Sequence, residues 1–163
     1  MSLHASQRAD WVRASVWEFL RGQDLGADLV PAEAMRANLD RSAPWIRVGF
    51  LDLPPSPAGQ VDGVYTNRVP VNLLLDVHAP DGSNTDQVNL WAADRIASLC
   101  RAAMANADLP LYDYTNPDAP AAVAGVSLIF HTPPPTLQDI GNVNGWIRRR
   151  VTARGIYFER LAA

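Results

Sequence analysis

Residues 145–161 read GWIRRRVTARGIYFERL, three consecutive arginines set in a segment that otherwise alternates as a strand does, and this limits the architecture most. Successive side chains of an extended strand point to opposite faces. Period two therefore places Ile147, Arg149, Val151, Ala153, Gly155 and Tyr157 on one face, and Trp146, Arg148, Arg150, Thr152, Arg154, Ile156 and Phe158 on the other. Arg148, Arg150 and Arg154 thus share one side of a long final strand.

A second segment, RVPVNLLLDVHA at 68–79, aligns Val69, Val71, Leu73, Leu75 and Val77 on one side. Its other side mixes Pro70 and Leu74 with Asn72, Asp76 and His78, a pattern expected of a partly covered face. WIRVGFL at 45–51 alternates Ile46, Val48 and Phe50 against Trp45, Arg47 and Gly49. Shorter strands are predicted at 109–114 and 123–130, with HTPPPTLQDIGNVN read as a linker and a tight reversal at Gly141, Asn142, Asn144 and Gly145. That reversal predicts antiparallel pairing of the last strand with the one before it.

Two helices complete the pattern. Residues 6–20 carry Val12, Val16, Phe19 and Leu20 on one stripe, widened by Trp11 and Trp17. The second begins where Asn84 can cap, with Gln87 three residues later and Asp86 in the first turn. Its stripe reads Val88, Trp91, Ala92, Ile96, Leu99, Cys100 and Ala103, predicted to cover the sheet. Between the first helix and the first strand, Gly22, Gly26 and Pro31 signal a broken path with a short helix across 31–38. This order predicts an α+β domain: a mostly antiparallel sheet covered on one face by an N-terminal helix and a long central helix. With 163 residues, 48% of them hydrophobic, the chain has material for one core, and residues 1–163 are read as one domain. DLPPSPAGQVDGVYTN supplies an extended proline-rich loop or arm at 52–67, because proline removes ladder donors.

Composition narrows the chemistry. A net charge of −3 gives no global reason for nucleic-acid affinity. All 14 basic residues are arginine, which removes a lysine Schiff base and a phosphate-loop lysine. Cys100 is alone, so no intrachain disulfide is possible, and its helical context predicts core packing. No stretch approaches 18 apolar residues and the N-terminus lacks a signal-peptide pattern, so a soluble protein made in the cytoplasm is expected, with no membrane partner.

His4, His78 and His131 lack metal-ligand spacing, and neither GQVDGV nor PDGSN has the glycine spacing of a phosphate cradle. Ser127 has no GxSxG context and Ser98 lies inside the long helix. Asp76 and His78 face the same way, with Asp81 close behind, but no nucleophile motif accompanies them. No catalytic residue, metal or cofactor is therefore expected. A small ligand-binding or enzyme domain using Asp76 and His78 is one alternative function. A nucleic-acid-binding accessory module using Arg148, Arg150 and Arg154 is another.

Five tryptophans are more than a domain of this size readily hides. Burial between copies is one way to cover the remainder, core packing the other. The interface candidates are Trp11, Trp17, Trp45, Arg148, Arg150 and Arg154. Those arginines suit the wet side of a sheet, a pairing with carboxylates of a neighbouring copy, or phosphate contact.

One resemblance gathers these features. Trp45, Ile46, Arg47 and Val48 open the first strand, and Asp76, Val77 and Pro80 close the second. Ala93, Asp94 and Ile96 follow in the helix, then Phe130, Pro133 and Gly141, and finally Gly145, Trp146, Ile147 and Arg148. In this order they resemble the tail terminator, or tail completion, proteins of siphophages and gene transfer agents. The chain departs from that pattern in VTARGIYF, where the family usually continues into an apolar or Pro-Phe stretch, and in its proline-rich HTPPPTLQDIG. The resemblance implies a non-enzymatic virion protein forming a ring, commonly a hexamer, that caps the tail tube and stops its polymerisation. It also implies partners: the major tail tube protein, a head-completion or connector protein, and DNA that crosses the channel without sequence-specific binding. Its place would be the head-tail junction, after synthesis in the host cytoplasm.

Overall fold

The computed structural model describes residues 9–32, 43–52, 56–61, 64–81, 86–105, 107–130 and 134–161. Helix α1 spans Ala9–Arg21, and its end charges oppose the helix dipole, Asp10 in the first turn and Arg21 in the last. It buries Trp11, Val12, Val16 and Leu20. Strands β1 (Asp28–Pro31), β2 (Trp45–Asp52), β3 (Ser56–Val61) and β4 (Val64–Pro80) follow. Helix α2 (Asp86–Met104) precedes β5 (Asp108–Asp113), β6 (Ala121–Ile129), β7 (Thr136–Val143) and β8 (Trp146–Leu161).

The sheet runs β1-β2-β4-β8-β6-β5, with β3 added to β4 and β7 to β8. All described pairings are antiparallel except β1 with β2. Its axis is the β4–β8 ribbon, paired without a break from Tyr65↔Leu161 to Pro80↔Trp146. One core joins α1 and α2 to the inward residues of the strands, Ile46 and Val48, Leu73 and Leu75, Val151 and Ala153, Leu111 and Leu128, and to Phe130 just past β6. Both helices thus cover the same face, as expected of this α+β fold. Each large side chain so buried contributes about 1.5–3 kcal/mol. Gly155 is required where it stands: a Cβ there would lie 2.6–2.9 Å from the ring of Phe130.

Several elements differ from the sequence expectation. β1 occupies part of what reads as a broken path, and residues 33–42, with most of the expected 31–38 helix, lie outside the described residues, as does the Asn84 cap. The expected arm at 52–67 contains β3, which pairs with β4 from Ser56↔Arg68 to Val61↔Val64, irregular between Pro57 and Gly59. The expected linker contains β7. Asn144 and Gly145 both adopt positive φ, 52° and 80°, and reverse β7 into β8. The last strand therefore pairs with β7, and with β6 through Ile129↔Ile156.

The α2 stripe is corrected. Ala93, Ile96, Ala97, Cys100 and Met104 face the core, whereas Trp91 is 64% and Leu99 39% exposed. Ala93, Ile96, Ala97, Cys100 and Met104 fall on one helical face, and Trp91, two positions before Ala93, projects from the far side of the helix.

Candidate functional site: the outer face of the sheet

The face away from the helices is built by register. Trp45, His78 and Arg148 align across β2, β4 and β8, and Arg47, Asp76 and Arg150 form the next outward-facing row. Asp76 and His78 are nevertheless buried. The Asp76 carboxylate accepts two parallel bonds from Arg150, Nε to Oδ1 at 2.7 Å and Nη2 to Oδ2 at 2.9 Å. These bonds raise the Arg150 pKa further above its ordinary value. A fork matched to a carboxylate is the strong form of this contact.

His78 does not meet the Asp76 carboxylate. Its Nδ1 donates to the Asp76 main-chain carbonyl at 2.9 Å, which fixes the proton on Nδ1. The imidazole stacks on Trp45 with centroids 3.8 Å apart and planes 5° from parallel. Trp146 meets Trp45 edge-on at 5.9 Å. Beside this cluster, Arg47, Asp76 and Arg150 line a cleft of about 260 Å³ floored by Gly49 and Leu74. A small anion or a carboxylate is the chemistry such a cleft favours, although Asp76 neutralises half of its positive charge.

The interface candidates separate. Trp11 is 6% exposed in the core and Trp45 4% exposed in its stack, so neither offers surface to a partner. Trp17 is half-buried along a groove beside α1. Arg148 donates to the main-chain carbonyls of Ile140 and Gly141, at 3.0 and 3.4 Å, where the β7–β8 register shifts. Arg150 is held by Asp76, and Arg154 is exposed.

Arg149 was not among the candidates. It lies on the core face, and its side chain, 9% exposed, joins Asp94 of α2 at 2.8 Å to Asp139 of β7 at 3.0 Å. An arginine between Ile147 and Val151 on an apolar face was the available sequence signal. Its partners, 55 and 10 residues away, were not readable locally.

Among the described residues no group of three His, Cys, Asp or Glu side chains is arranged to hold a metal ion. No described helix is long and apolar enough to cross a membrane. No protein-family model matches the chain, and no curated protein matches it. Among solved structures, one protein overlaps 96% of this chain and 97% of its own at 12% identity, with a TM-score of 0.43, a likeness that carries no argument.

Proposed function

We propose that this chain is a structural virion subunit whose copies form a ring that caps a tail tube, stops its polymerisation and offers the surface for head attachment. The observation that carries this reading is how the residues of the resemblance are used. Four of them, from four distant segments, link one element to another: Trp45 and Trp146 meet each other and His78, Asp76 holds Arg150, and Asp94 holds Arg149. Meanwhile large apolar side chains face outward, Trp91 at 64%, Leu51 at 51% and Phe158 at 45% exposure. Such a surface suits a subunit that packs against copies of itself.

Sedimentation velocity of the pure protein at micromolar concentration, alone and with tail-tube protein, tests the reading. A discrete closed oligomer in either condition is expected. A monomer in both conditions overturns it.

A further inference from the structure

We propose that the outer-face cleft lined by Arg47, Asp76 and Arg150 is a binding site for a single carboxylate group. Arg47 pairs with Asp76, and Asp76 with Arg150, in one row across β2, β4 and β8. Strand spacing puts the Cα atoms of the two arginines about 10 Å apart, a gap that their side chains span from either side. All three residues line the cleft of about 260 Å³.

The charges of this row do not balance. Arg150 gives its Nε and Nη2 to Asp76, so that pair is neutral, and its Nη1 has no partner among the described residues. Arg47 is half-buried and makes no hydrogen bond, ion pair or ring contact among the described residues. A charge drawn out of water is costly until it is paired. Val30 and Gln138 end the row without charge. Of the neighbouring rows, one holds Asp28 and Arg148, which cancel, and the other only Gly49, Leu74, Thr152 and Thr136. One positive charge is left unanswered, and it selects an anion.

The same balance selects the kind of anion. A carboxylate carries one charge and brings the cleft to neutrality, whereas a terminal phosphate brings about −1.5 to −2 at pH 7 and sets its excess against Asp76. A carboxylate is also planar and matches a guanidinium fork. Ala32, Gly49, Phe50 and Leu74 complete the lining, so the stem that bears the carboxylate meets apolar surface. Gly49 keeps the floor open: a Cβ there would meet Ala32 at 3.6 Å and the Leu74 carbonyl at 3.9 Å, both ordinary contacts. A small free carboxylate and an acidic side chain of another protein present the same group to this site.

Titration of the pure protein with propionate, followed through the arginine Nε–H resonances, tests the site. Saturable millimolar binding that moves the Arg47 and Arg150 signals and leaves that of the exposed Arg154 in place is expected. Arg47→Gln removes the unanswered charge and weakens binding at least about 10-fold. Gly49→Val keeps every charge but fills the floor, and weakens binding as well. Near-UV circular dichroism confirms native packing of both variants. Inorganic phosphate binds at least about 10-fold more weakly than propionate, because its second charge faces Asp76. Equal shifts at all arginines, or propionate binding that survives Arg47→Gln, overturn the site. Phosphate binding tighter than propionate, or salt-dependent DNA binding lost in Arg47→Gln, overturns the carboxylate. Sedimentation velocity in excess propionate separates the sources. Oligomers dissociated both by propionate and by Arg47→Gln assign the carboxylate to a neighbouring subunit, and unchanged sedimentation assigns it to a free small molecule.

Discussion

Arg150 holds the Asp76 carboxylate through two bonds of 2.7 and 2.9 Å across the β4–β8 register, yet the two partners are unequally placed. The Arg150 side chain is 36% exposed and that of Asp76 10%. Removing arginine leaves an enclosed carboxylate, whereas removing aspartate leaves a guanidinium that can reach water. Arg150→Ala is expected to cost about 2–3 kcal/mol and Asp76→Ala about 1–2 kcal/mol. The double variant should lose less than the sum. Urea unfolding of all three checks this, and equal single losses contradict it.

Gly155→Ala places a methyl group against the enclosed Phe130 ring. Because the ring is fully buried it has little room to yield, and a loss of about 1–3 kcal/mol is expected. Phe130→Leu should cost less in the Gly155→Ala background than in the wild type, as the two substitutions relieve one another. A thermodynamic cycle on thermal or urea unfolding measures that coupling.

Burial pushes the Cys100 thiol from 9.0 up to about 12. A thiol raised in the folded state binds its proton there after the unfolded chain has released it. The unfolded form then carries fewer protons between pH 9 and 12, so stability contributed by this group is complete below pH 9 and falls across that window. Cys100→Ala should flatten the alkaline slope of unfolding free energy. In the native protein, alkylation at pH 8 should await unfolding.

Trp91 and Trp11 occupy helices of similar pattern but opposite surroundings, 64% and 6% exposed. Trp91→Ser is expected to change monomer stability by less than about 0.5 kcal/mol. Trp11→Ala should cost about 3–5 kcal/mol. Guanidinium unfolding at a concentration that keeps the protein monomeric separates the two.

These contrasts explain what the residues revealed in advance. Long alternation made β4 and β8 legible, and the faces of β8 fall as period two predicts. β7 escaped notice because TLQDIGNV has no apolar side: nearly all its residues are exposed, so no face required alternation. β1 is four residues long, below the length at which a period is readable. In α2 the reading weighted large apolar residues, while the face that is buried mixes Ala93 and Ala97 with Ile96, Cys100 and Met104. At the site, the shared face of Asp76 and His78 followed from spacing. The capture of the Asp76 carboxylate by a residue 74 positions away did not, because register between distant strands is a property of the whole sheet.

That same ribbon sets a schedule. Every pair between β4 and β8 joins residues separated by a long intervening chain, and β8 is synthesised after each strand it pairs with. Closing so distant a loop precedes any reward from the core, which puts folding in the slow class typical of non-local sheets. A nascent or truncated chain lacking β8 leaves one edge of β4 unpaired and cuts β5, β6 and β7 off from the rest of the sheet. Incomplete products are thereby left with a sheet that cannot close.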